Sequence, residues 1–200
     1  MDFSAERPRE REFARFLAFV DAVTAIAITL LVLPLVDLAS GLREGQSVAD
    51  LIGDHLAQLG GALLSFVVIA RLWLAQHQVV RRVVVQDRIV TQLTLLWLVT
   101  IVLLPFPTAL LPEGGDQALT KVLYIGTIAI SMFCLAGMAW RIRRTPSIRD
   151  SGDANDVTGT VTAGVTLLLA LGISLAIPAA GYWPLLLLVI ADPVVARFRA

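Results

Sequence analysis

Hydrophobic residues in this chain come in long unbroken runs, and the polar residues cluster in the short gaps between them. A helix needs about 20 mostly apolar residues to cross the hydrocarbon core of a bilayer. Six runs meet that length: about 16–36, 56–75, 89–111, 122–140, 157–177 and 179–196. Asp21 interrupts the first run and Arg71 lies near the end of the second. The last two are separated only by the turn region from Pro178 to Pro184. Pro112-Glu113-Gly114-Gly115-Asp116 is the clearest break, as proline and glycine punctuate helices. The pattern therefore predicts an all-α polytopic membrane protein, a single domain over 1–200 with six transmembrane helices.

The basic residues orient these spans, because Lys and Arg close to helix ends are retained in the cytoplasm. Thirteen of them fall in alternate gaps: Arg7, Arg9, Arg11, Arg15, Arg81, Arg82, Arg88, Arg141, Arg143, Arg144, Arg149, Arg197 and Arg199. The other gaps hold only Arg43 and Lys121. That alternation predicts cytoplasmic N- and C-termini. The outer gaps are acidic, with Asp37, Glu44, Asp50, Asp54, Glu113 and Asp116. Solvated loops account for such charges, and an outer vestibule that concentrates cations is the functional alternative.

Composition sharpens this reading. Of 200 residues 57% are hydrophobic and 16% charged, where a soluble domain is about a quarter charged. Sixteen acids balance sixteen bases, so charge implies no nucleic-acid partner. Cys134 stands alone inside an apolar run, which reads as a small buried residue rather than a staple or metal ligand. The first fifteen residues are charged and mixed in sign, and the run after them lacks a small-residue cleavage site. It is expected to stay in the membrane. No internal repeat is evident.

The first run carries the most chemistry. An aspartate inside a membrane helix is costly and must face protein or water with a partner in reach. Asp21 either pairs shallowly at the interface or anchors the helix in place. Arg71, Trp73 and His77 on the second run, and Arg15 on the first, share its expected depth. Ile26, Thr29, Leu30 and Leu33 recur at i, i+3, i+4 and i+7, so they share one helix face, and Asp37 continues it outward. Such a stripe is a packing seam in most proteins. Repeated around an oligomer axis, it would form narrow apolar rings that can gate by dewetting, with a ring of Thr29 hydroxyls.

These residues also carry a resemblance. Arg15-x-x-x-Phe19-x-Asp21, followed by Ala-Val-Thr-Ala-Ile-Ala-Ile-Thr-Leu-Leu-Val-Leu, resembles the Arg-x-x-x-Phe-Ser-Asp signature of the transmembrane protein 175 potassium channels. Trp73-x-x-x-His77 and Leu103-Leu104-Pro105-Phe106-Pro107-Thr108-Ala109-Leu110-Leu111 look like the same family. The resemblance is to its bacterial branch, with one six-helix unit per chain. It implies a homotetrameric potassium channel in a bacterial inner membrane, permeable to monovalent cations, with the first helix of each subunit lining the pore. The carbonyl filter sequence Thr-Val-Gly-Tyr-Gly, which the family lacks, is absent. By the same resemblance Ile26 matches the hydrophobic constriction, and Thr29 and Leu33 the next pore-facing layers. Arg15, Phe19, Asp21, Trp73 and His77 match its packing and hydrogen-bond network. One departure is clear: the signature serine is Val20.

Other classes remain in view. A secondary transporter favours midplane charges and internal repeats, which are scarce here. The two histidines, His55 and His77, fall on opposite sides of the predicted topology and lack metal-ligand spacing, so no catalytic residue, metal or cofactor is expected. A non-conducting membrane assembly protein fits the bare topology as well as a channel does. Beyond cations, the expected partners are the lipid bilayer and further copies of the chain.

Overall fold

The computed structural model describes residues 3–41, 47–81, 83, 85–114 and 117–148, and these are helical wherever they are regular. The helices are α1 (Phe3–Leu30), α2 (Leu33–Ser40), α3 (Val48–Asp54), α4 (Leu56–Val80), α5 (Arg88–Leu103), α6 (Pro105–Gly114) and α7 (Ala118–Arg144), followed by a 3-10 turn at Pro146–Ile148. Four stretches are long and apolar enough to cross a membrane: Arg11–Leu38, Leu56–Val80, Arg88–Pro112 and Ala118–Arg144. At 1.5 Å per residue each is about 37–42 Å long, enough for a core of about 30 Å with some tilt. The first four expected spans coincide with these stretches. The fifth and sixth, 157–177 and 179–196, lie outside the described residues.

Two of the four spans are not single helices, and proline is the reason. Pro34 has no N–H to give the Leu30 carbonyl, and its ring crowds that carbonyl. The chain tightens instead, with Leu31 N–H on the Ile28 carbonyl and Val32 N–H on the Thr29 carbonyl, and then restarts as α2 with proline in its first turn. In the third span Pro105 and Pro107 remove two donors, so α5 closes at Leu103 and α6 begins at Pro105. Leu104 bridges the two, its N–H shared between the Thr100 and Ile101 carbonyls. Neither break is visible in a hydropathy pattern, because leucine and proline both keep the run apolar. The short α3 falls in a stretch expected to be a plain loop. Ser47 caps it, accepting from the Asp50 N–H at 3.1 Å and donating to the Asp50 carboxylate at 2.6 Å.

The centre of the subunit is the antiparallel pair of α5 and α7. Thr94 lies 3.1 Å from the Met138 sulfur, and Arg141 pairs with Asp87 at 2.8 Å. Gly137 makes the approach close: a Cβ there would sit 3.2 Å from Leu93 Cδ1. Backbones that approach this way gain the packing contacts that hold membrane helices together. Asp87 also caps α5, accepting from the N–H groups of Ile89 and Val90 at 3.0 and 3.1 Å. α4 packs on α6 and α7, and α1 lies against α5. The apolar windows of α1 and α4 are 22% buried, against 39% for the third span and 44% for the fourth. The first two spans are therefore the outer elements of the described unit.

Candidate functional site

α1 has two faces, set by residue spacing. Phe13, Val20, Thr24, Ala27 and Leu31 are buried and recur at helical intervals, which turns them toward the subunit core. The Thr24 hydroxyl does not break that face, because it donates to the Val20 carbonyl at 2.9 Å. On the other side Ile26 (58% exposed), Leu30 (42%) and Leu33 (57%) point out of the subunit, as does Thr29. The expected stripe is therefore an outward face of the protomer.

The outward face is longer than the four residues expected. Arg15, Phe19, Ala22, Ile26, Thr29 and Leu33 are all exposed and follow each other at alternating steps of four and three. That is the a/d spacing by which helices pack around a common axis. Arg15 and Phe19, expected beside Asp21, lie on this face instead. Among the described residues no hydrogen bond or ion pair joins either of them to Asp21. The seven-residue spacing from Phe19 to Ile26 was the sequence signal for this placement. Val32 and Val36 are also exposed and widen the face past the break at Pro34.

Thr29 has a definite proton arrangement. Its hydroxyl donates to the Ile26 carbonyl at 2.7 Å. The proton is thereby turned to the backbone, and the oxygen lone pairs are left to the exposed side. A hydroxyl so fixed presents an acceptor, the polarity that suits a cation.

The polar group on the flank of α1 joins it to α4. The Trp73 indole N–H donates to Asp21 Oδ1 at 2.8 Å, and His77 Nδ1 lies 3.9 Å from the same oxygen. Trp73 and His77 are one helical turn apart with ring centroids at 5.2 Å, so the imidazole rests against the indole. The side chains of Asp21 and His77 are 40% and 49% exposed, which leaves this cluster half open. Asp21 points about 140° away from Ile26 around the helix, five residues at 100° each. It is a flank residue of the stripe and not part of it. Position 20 looks a third way: Val20 is fully buried in the apolar core, away from solvent. Among the described residues no group of three His, Cys, Asp or Glu side chains is placed to hold a metal ion.

The region that builds both features, residues 15–105, matches the family model described as the endosomal/lysosomal potassium channel TMEM175. A potassium channel of Streptomyces collinus is 33% identical over 147 residues, covering 70% of this chain and 68% of the relative. The chain belongs to this potassium channel family. A second relative, a potassium channel of Chamaesiphon minutus, is 36% identical over 112 residues, covering 54% of this chain and 53% of its own length. No solved structure matches. TMEM175 channels are ion channels and not enzymes, and the apolar helices make this member a multi-pass membrane protein. The matched residues begin at Arg15 and end at Pro105, so they include the whole a/d face and the Asp21–Trp73–His77 cluster.

Proposed function

We propose that this protein is a potassium-permeable cation channel whose pore is lined by α1 from each of four subunits. The observation that carries the reading is the outward a/d face of α1, apolar except for Arg15 at one end and the Thr29 hydroxyl between Ile26 and Leu33. In a soluble protein such a face would be a liability; around a fourfold axis it becomes a wall of stacked rings. Ile26 forms the narrowest ring, and Thr29, Leu30 and Leu33 follow it toward the acidic end. Apolar rings of this kind close a pore by expelling water. Trp73 and His77 hold Asp21 and so fix the rotation of α1 that turns Ile26 inward.

The channel sits in a bacterial inner membrane with six spans and both termini in the cytoplasm, an orientation supported by the thirteen basic residues of one side. Asp37 on α2 and Asp50 and Asp54 around α3 are exposed at the opposite end, where they raise the local concentration of cations.

The test is potassium flux in proteoliposomes. The channel reading expects downhill potassium current with no coupling ion, inhibited when Ile26→Cys is modified by a bulky thiol reagent; Cys134 is buried and provides the unmodified background. Flux that requires a second ion gradient would identify a transporter. Absence of flux from a well-assembled tetramer would identify an assembly protein.

A further inference from the structure

Arg11 opens the first membrane span and Arg88 the third, and α1 packs against α5. An open cavity of about 440 Å³ lies where the two spans start, lined by Glu12, Val85, Gln86, Arg88, Thr91 and Gln92. Residues that open a span stand at the depth of the lipid headgroups. Glu12 comes nine residues before Asp21, two and a half helical turns, so the cavity lies on the opposite flank of α1 from the Asp21–Trp73–His77 cluster.

The cavity holds one acid and one base that do not meet. Among the described residues neither Glu12 nor Arg88 forms an ion pair. Asp87, the acid beside Arg88 in sequence, is committed to Arg141 and to the cap of α5. Gln86 donates one N–H to the Thr91 hydroxyl at 3.4 Å, and that hydroxyl gives its own proton to the Asp87 carbonyl at 3.0 Å. Thr91 is thereby spent. The second Gln86 N–H and the Gln92 amide remain for a ligand.

This set selects by charge. A guanidinium flanked by amide N–H groups suits a phosphate, and a carboxylate suits an ammonium. A purely anionic ligand would bring a like charge to Glu12, and a purely cationic one would do the same to Arg88. A headgroup that joins a phosphodiester to an ammonium through a short carbon link satisfies both. Among the described residues no aromatic ring lines the cavity. A trimethylammonium has no N–H and is held by aromatic faces, so the cavity favours a primary ammonium. The tail has a place as well. Gln92, Leu95, Val99 and Val102 are exposed and follow Arg88 at alternating steps of four and three. That stripe runs about 20 Å along α5, longer than the roughly 15 Å of hydrocarbon in one leaflet.

We infer that this cavity binds the headgroup of a phosphatidylethanolamine-type lipid, with the phosphate on Arg88 and Gln92, the ammonium on Glu12 and an acyl chain along the α5 stripe. The site rests on the membrane spans and does not depend on how α1 assembles.

The test uses the full-length protein in detergent, where bilayer curvature plays no part. Phosphatidylethanolamine, phosphatidylcholine and phosphatidylglycerol with the same acyl chains are added in turn. At a hundredfold excess over half-saturation, phosphatidylethanolamine raises the thermal midpoint by about 5–10 °C and the other two by clearly less. Native mass spectrometry shows it retained at one per subunit. Glu12→Gln removes both the partner of the ammonium and the repulsion of anions, so the phosphatidylglycerol shift rises to match or exceed that of phosphatidylethanolamine. Arg88→Gln lowers the shift from both. Equal wild-type shifts from phosphatidylethanolamine and phosphatidylcholine would overturn the inference, as would a wild-type preference for phosphatidylglycerol. So would a phosphatidylethanolamine preference that survives Glu12→Gln. Glycerophosphoethanolamine, which has no tails, gives little shift; a full shift from it would mark a site for a soluble phosphodiester and overturn the lipid assignment. Should either variant fail to fold, the wild-type series and the other variant decide.

Discussion

Asp21 shows how a charge in an apolar run is made tolerable. Its carboxylate receives the Trp73 indole N–H at 2.8 Å and has His77 close by, and its half-open position lets water reach the rest. A hydrogen bond to a charged group contributes about 1.5–3 kcal/mol net, and less where water can replace the donor. Trp73→Phe should therefore lower the stability of the protein by about 1 kcal/mol. Asp21→Asn keeps an oxygen for the indole and should cost no more. Neither change replaces a residue of the a/d face, so stability should fall more than potassium/sodium reversal potentials move. A stably assembled Asp21→Asn protein with reversed or abolished selectivity would place Asp21 in the ion path. Val20, one residue away, makes the contrast. Its side chain is fully enclosed by apolar neighbours, so Val20→Ser exchanges methyl contacts for a hydroxyl that can bond back to the Phe16 carbonyl. The expected result is a stability loss on the order of 1 kcal/mol from lost dispersion contacts, read as a lower thermal midpoint, with conductance unchanged.

Helices in this protein are fixed at their ends by a few polar residues, and Asp87 is the clearest case. It caps α5 through two backbone N–H groups and pairs with Arg141 on α7 through Nη2 at 2.8 Å and Nε at 3.3 Å. The hydrogen bond from Arg141 holds the Asp87 carboxyl below its ordinary value of 3.8, against burial, which pushes it up, and with help from the Val90 and Ile89 N–H groups. A depressed carboxyl pKa contributes stability that is complete above the unfolded value and lost as pH falls through the folded one. The contribution should thus be intact at neutral pH and disappear below about pH 4. Asp87→Ala removes cap and ion pair and should cost about 2 kcal/mol, whereas Asp87→Asn keeps the cap and should cost less. Thermal midpoints between pH 7 and pH 3 check both: the wild type should lose more on acidification than Asp87→Asn. The element scale is also where the sequence was most and least readable. Four spans could be read directly, because each is a run of apolar residues longer than the bilayer requires. The breaks before Pro34 and at Leu104 could not, since they depend on which carbonyl loses its donor rather than on hydropathy. The meeting of Asp21, Trp73 and His77 was legible as a shared depth. The turning of Arg15 and Phe19 onto the Ile26 face was written in the four-and-three spacing, but a signature motif groups residues by order along the chain and not by angle around a helix.

If α1 lines the pore as proposed, the chemistry of its outward face determines what kind of selectivity is attainable. In the proposed tetramer, four Ile26 side chains would offer a crossing cation no oxygen, so the ion would keep most of its water at that ring. Four Thr29 hydroxyls, each with its proton held by the Ile26 carbonyl at 2.7 Å, would offer lone pairs one turn away. They can replace a few waters on one side of the ring. A carbonyl filter replaces the whole hydration shell, and this arrangement cannot match it. With the proposed orientation, the exposed acids Asp37, Asp50 and Asp54 would favour cations over anions, but only through a field screened within about 8–10 Å at ordinary ionic strength. The expected outcome is clear cation-over-anion selectivity with a modest preference for potassium over sodium. Thr29→Val keeps the shape and removes the lone pairs, so it should weaken that preference at nearly unchanged conductance. Ile26→Ala or Ile26→Asn widens or wets the ring and should raise conductance while lowering the preference further. Reversal potentials under potassium/sodium gradients, with single-channel conductance on the same variants, separate the two roles. A preference as steep as that of carbonyl-filter channels, or one indifferent to both positions, would show that ions are chosen elsewhere than on α1.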